Sequence, residues 1–297
     1  MSVYFSEMYP IPLRLFSSVL LYISFNVCLR RVHGVEAPLL SLHAFVGIVS
    51  VFALMLILRL MDELKDKEID RELFRDRPLP SGRVLETDIS FTLVTVIAMY
   101  IIVNMIAGAV VWMAVIVLGY SLLMFKYFFI HEILRKHLLL NLATHTPIIP
   151  LNLVYLCFLF SAEHHLHISN LNWPLCLALI GMYWAMFFAW EISRKIRAQE
   201  EENAYVTYSQ ILGRVGAVFV ASGAQTIAFL LGLFFSSTLS LPWQFAVLLS
   251  AAYGMTMWSH IRFILNPSPV TSKLKPYAER YILSALAASV VAIGGLK

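Results

Sequence analysis

Charge is scarce in this chain. Asp, Glu, Lys and Arg together make up 13% of its 297 residues, against about 25% in an ordinary soluble domain. That excludes a protein with most of its surface in water. Cysteine is scarce too: Cys28, Cys157 and Cys176 all lie inside or at the edge of apolar runs. No disulfide framework or zinc spacing can be drawn from them, and they read as small buried hydrophobes. A cleavable signal pattern is also missing. No basic region precedes the first apolar stretch and no small-residue cleavage site follows it, so that stretch is expected to be the first membrane span.

Apolar residues are abundant, at 60% of the chain. A span needs about 20 of them, and roughly nine segments qualify: 12–29, 41–60, 88–105, 107–129, 138–160, 174–190, 215–236, 241–262 and 277–295. The expected fold is all-α and polytopic, a single domain over 1–297. Gly108 marks a tight turn between the third and fourth segments. Pro147 and Pro150 should break the fifth, near Asn141, Thr144, His145, Thr146 and Asn152, a polar set that should face a cavity or another helix.

Lys and Arg are distributed unevenly between alternate loops. Of the 22, one side holds 19 and the other only Arg30, Arg31 and Lys297. By the positive-inside rule the N-terminus and the two long polar loops, 61–87 and 191–214, are expected to be cytoplasmic. The two loops follow the second and sixth segments, which hints at an internal pseudo-repeat. The net charge of +4 reflects this asymmetry and is no argument for nucleic acid.

Asp62, Asp66 and Asp70 stand four residues apart just after an apolar run, so on a helix they share one face. Hard oxygen donors without His or Cys suit Mg²⁺, which commonly bridges carboxylates to substrate phosphates. Arg71, Arg75, Arg77 and Arg83 follow at once. Acid beside base at a bilayer surface suggests a metal-bound polyphosphate.

This loop resembles the signature of the UbiA-type intramembrane prenyltransferases: aspartates at four-residue steps, then Arg77-Pro78-Leu79-Pro80-Ser81-Gly82. Asp62 stands where that family usually has Asn, and Glu63 where it often has Asp. The resemblance implies helices around a central apolar cavity, a polar cap on the cytoplasmic side, and a place in an inner or plasma membrane. It also implies a second D-x-x-x-D motif after the sixth span, from which this chain departs. Glu191 occupies the first acidic position and Lys195 the second, and Glu200, Glu201 and Glu202 come later. The second arm is therefore either rebuilt from glutamates or replaced by cations.

By that resemblance the expected reaction is Mg²⁺-dependent transfer of a prenyl group from a prenyl diphosphate to a small hydrophobic or aromatic acceptor in the bilayer. Asp62, Asp66, Asp70 and Glu191 would be metal ligands. Asp66, Asp70 and Lys126 would carry the chemistry, and Arg77, Arg194 and Arg197 would bind diphosphate. Phe125, Tyr127, Tyr155, Tyr183, Trp184, Phe187 and Trp190 could line the cavity and shield a carbocation. Two alternatives stand beside it: a membrane terpene cyclase that needs no acceptor, and a non-catalytic scaffold or lipid transporter. Glu163-His164-His165-Leu166-His167 and the basic stretch His131, Arg135, Lys136 and His137 have plainer readings, the second as attraction to anionic headgroups.

Overall fold

The computed structural model describes residues 1–108, 110–203 and 205–294, without the side chains of Arg135 and Gly294. Lys297 and the end of the ninth predicted segment lie outside the described residues. In chain order the helices are α1 (Ser2–Glu7), α2 (Ile11–His33), α3 (Leu42–Lys65), α4 (Lys67–Leu73), α5 (Glu86–Ala107), α6 (Val111–Phe125) and α7 (His131–Lys136). They continue with α8 (Leu138–His145), α9 (Ile148–Glu163), α10 (Trp173–Ser193), α11 (Tyr208–Thr238), α12 (Trp243–Leu265) and α13 (Lys275–Gly294). No strand occurs among the described residues.

Each of the nine apolar segments is built mainly of helix among the described residues. Among the described residues six stretches are long and apolar enough to cross a membrane: α2, α3, α5, Leu138–Glu163, α10 and α11. The fourth segment is shorter than expected. α6 has 15 residues and stops at Phe125, because Tyr127, Phe128 and Phe129 turn left-handed, with φ of 48°, 50° and 61°. Gly108 ends α5 with φ 67°, as a tight turn there requires. The fifth segment breaks at its prolines. α8 ends before Pro147, and α9 resumes with Pro150 in its first turn, where the missing N–H costs no hydrogen bond.

The chain forms two compact units, interleaved in sequence. Unit one comprises 1–23, 37–137 and 154–169, and unit two comprises 24–36, 138–153 and 170–297. Both turn large apolar side chains outward: Phe91 in unit one is 76% exposed and Phe219 in unit two 75%. In water such surfaces would aggregate, whereas in lipid they are ordinary contacts.

Unit one buries a polar triad. Tyr155 Oη donates to Asn104 Oδ1 at 2.8 Å and lies 3.1 Å from Ser50 Oγ, and Asn104 Nδ2 donates to Ser50 Oγ at 2.9 Å. Bonds of this kind join helices where apolar burial gives little preference over lipid. Tyr155 is thus a structural residue rather than a cavity lining. In unit two Ile192, Ile196, Tyr208, Ala217, Ala221, Phe263 and Leu274 form an apolar cluster that fixes the loop between α10 and α11. Helix starts follow capping rules. Ser41 Oγ accepts from Ala44 N–H at 2.9 Å, and Thr207 and Gln210 form a reciprocal box at the start of α11.

Candidate functional site

The aspartate arm of unit one is the joint between α3 and α4. Asp66 leaves helical geometry (φ −97°, ψ 8°), yet the helical bonding runs through it. Asp66 N–H donates to Asp62 O at 2.9 Å and Asp70 N–H to Asp66 O at 2.9 Å. The three aspartates keep the expected four-residue pitch, with a bend at the middle one.

Their surroundings differ. Asp62 is exposed, and its Oδ1 lies 3.3 Å from Lys65 Nζ. Asp66 is half-buried and accepts from Tyr127 Oη at 3.5 Å. Asp70 is buried, and both its oxygens lie 2.8 Å from Arg77 Nη1. The Arg77 guanidinium stacks 3.9 Å over the Phe74 ring. The Arg77–Gly82 run folds as a tight loop: Ser81 N–H donates to Arg77 O at 3.0 Å, and Gly82 takes φ 74°. Arg83 ties this loop to α1 through two bonds to the Glu7 carboxylate.

A fourth acid, the Glu63 that follows Asp62, turns away from the arm. Glu63 is buried, bonded to Arg59 one helical turn back, and its Oε2 has no hydrogen-bond partner. Tyr4 of α1 is buried in the same neighbourhood, and burial pushes its phenol above the ordinary value. The Arg59–Glu63 spacing of four was the available signal. Lys126 is exposed at the end of α6, its Nζ 5.3 Å from the Phe125 ring centroid.

The turn after Lys126 is strained. Left-handed geometry costs roughly 1–2 kcal/mol per non-glycine residue and is normally visited singly. Here three aromatic residues adopt it in succession. The turn presents Tyr127 to a cavity of about 250 Å³ lined by Lys65, Lys67, Glu68, Ile69, Tyr127 and His131.

The second loop belongs to unit two and is organised by cations. Arg194 Nε and Nη2 hold Glu191 at 2.5 and 2.8 Å, and Lys195 Nζ lies 3.8 Å from it. Lys195 also faces the rings of Tyr205 and Tyr208, at 5.7 and 5.9 Å. Arg197 Nη1 donates to the carbonyls of Arg194 (3.1 Å) and Ile196 (3.0 Å), which shapes the loop. Glu201 accepts from Ser272 Oγ at 2.6 Å and from Ala198 N–H at 3.1 Å. Arg197, Ser209, Arg214, Glu200 and Glu202 help to line a second cavity, of about 220 Å³.

Around the proline break, Asn141 Oδ1, Thr146 Oγ1 and Asn152 Oδ1 are buried without partners. On the histidine stretch, Glu163 accepts from Ser41 Oγ at 2.6 Å and His167 Nδ1 lies 2.6 Å from Ser169 Oγ. The side chain of Arg135 lies outside the described residues.

The two arms differ in their fit to Mg²⁺. Among the described residues no three His, Cys, Asp or Glu side chains come together as a metal cage. Asp62 and Asp66 nevertheless offer hard carboxylate oxygens at an accessible joint. One or two carboxylates completed by substrate phosphate oxygens is a common way of holding Mg²⁺. Glu191 does not fit: it is a lone carboxylate already enclosed by a guanidinium and an ammonium.

These helices define an integral membrane protein with the UbiA-type fold. The apo structure of a UbiA homologue from Aeropyrum pernix K1 superposes with a TM-score of 0.69 over 96% of this chain and 98% of that one, at 14% identity. A structure of digeranylgeranylglyceryl phosphate synthase superposes with a TM-score of 0.65 over 95% and 96%, at 15% identity. At these identities the likeness establishes the fold. No protein-family model and no curated protein matches the sequence.

Proposed function

We propose that the protein transfers a prenyl group from a prenyl diphosphate to a small hydrophobic acceptor within the membrane, with Mg²⁺ held at the α3–α4 joint. The observation that carries this reading is the unbroken bonding through Asp62, Asp66 and Asp70, which keeps three carboxylates in step at the end of a membrane helix. The fold supports it, since digeranylgeranylglyceryl phosphate synthase shares the architecture.

Asp62 and Asp66 would hold the metal, which would neutralise charge on the departing diphosphate. Asp70 acts through Arg77, fixing a guanidinium beside the arm. Lys126, next in the chain to the Tyr127 that reaches Asp66, would add an exposed positive charge, and ammonium groups stabilise phosphoryl oxygens as point charges. The arm and both long polar loops would lie on the cytoplasmic side, as the Lys and Arg bias favours.

The test is diphosphate release by the purified protein in nanodiscs, with Mg²⁺ and a panel of prenyl diphosphates, with and without aromatic acceptors. Acceptor-dependent release with a prenylated product is expected, and Asp66→Ala should abolish it. Acceptor-independent release with a cyclic product would replace this reading with a terpene cyclase. Unchanged turnover in Asp66→Ala would remove the basis of the site.

A further inference from the structure

The turn after α6 takes left-handed geometry at three successive aromatic residues, a backbone that glycine adopts without strain. Phe129, at φ 61°, is 78% exposed and so contributes little packing in return. Residues persist in sparsely populated backbone regions when their surroundings over-determine them, and such residues gather at ligand clamps. Here the surroundings are specific. The Phe128 ring packs edge-on against Tyr120 at 5.5 Å. Phe129 N–H donates to Lys126 O, and Ile130 N–H to Tyr127 O, both at 2.9 Å.

The residue so placed is Tyr127. Its hydroxyl donates to Asp66 Oδ1 at 3.5 Å, and Lys65 Nζ lies over its ring, 4.8 Å from the centroid. The His131 ring meets it edge-on at 4.6 Å. One side chain therefore touches the middle acid of the arm and its neighbouring base, at the wall of the 250 Å³ cavity. A phenol donor fixes the direction in which a carboxylate oxygen points, and an aromatic face gives an ammonium a resting place.

We propose that Tyr127 is a positioning residue for the aspartate arm, and that the strained turn is the device that holds it there. The Tyr127 hydroxyl orients the Asp66 carboxylate for a metal-bound diphosphate, while the ring keeps Lys65 beside the cavity. The inference rests on the function proposed above.

The test uses Mn²⁺ with inorganic pyrophosphate as the probe, followed by electron paramagnetic resonance on the full chain in nanodiscs, alongside thermal unfolding. Tyr127→Phe removes only the hydroxyl and should weaken Mn²⁺–pyrophosphate binding roughly threefold to tenfold at unchanged Tm. Phe129→Gly relieves the left-handed strain and should raise Tm while weakening the same binding. A merely structural turn would give higher Tm with unchanged affinity, and that result overturns the proposal. So does a lower Tm in Phe129→Gly, or wild-type affinity in Tyr127→Phe. Asp66→Ala separates the two readings. If it abolishes binding while Tyr127→Phe does not change it, the clamp alone fails; if Asp66→Ala binds normally, the site itself fails.

Discussion

Arg77 Nη1 stands 2.8 Å from both carboxylate oxygens of Asp70, so the last acid of the arm is closed by the first residue of the loop that follows it. The pair is half sheltered: the side chain of Asp70 is 8% exposed and that of Arg77 34%. Arg77→Ala leaves a buried carboxylate unpaired and should cost about 1–3 kcal/mol of stability. Detergent unfolding checks this, and the double variant Arg77→Ala/Asp70→Asn should recover most of the loss. A single variant as stable as the parent would show that Asp70 finds another partner.

Glu191 is an ion-pair partner in this geometry. Glu191→Gln should loosen the Arg194 contact and lower Tm by a few degrees, while the number of Mn²⁺ ions bound per chain stays the same. A Mn²⁺ titration decides it. Loss of one bound ion would reinstate Glu191 as a ligand.

Gly47 lets α2 and α3 approach within unit one. A Cβ there would meet Tyr22 Cε2 at 2.2 Å and Leu159 Cδ2 at 3.0 Å. Gly47→Ala should therefore destabilise by about 1–3 kcal/mol, the usual cost of overpacking. Unfolding at wild-type denaturant concentration would mean that the Tyr22 ring moves aside freely.

The helices were legible because a membrane span is written in length and apolarity alone, and so were the breaks at Gly108 and Pro147. The turn at Tyr127–Phe129 was not. Three aromatic residues in an apolar run look like more helix, since none of them favours left-handed backbone. At the arm, the spacing of Asp62, Asp66 and Asp70 was readable, but their unequal burial was not. Burial depends on Arg77 and Tyr127, which reach the acids through the folded loops. In the second loop the sequence left two options open, glutamates or cations. Geometry favours cations there, because Glu191 and Glu201 are each already engaged.

The interleaving of the two units has a consequence for biogenesis. Ser24 is bonded to Tyr183 inside unit two, a separation of 159 residues. At synthesis rates of about 5–20 residues per second, residue 24 waits roughly 8–30 s for that partner. During that interval the Ser24 hydroxyl must be sheltered by something other than its final neighbour, whereas Asn26 and Arg30 already bond to each other one turn apart on α2. A cut after His137 would divide both units at once, so co-expressed halves should each be incomplete until they meet in the same bilayer.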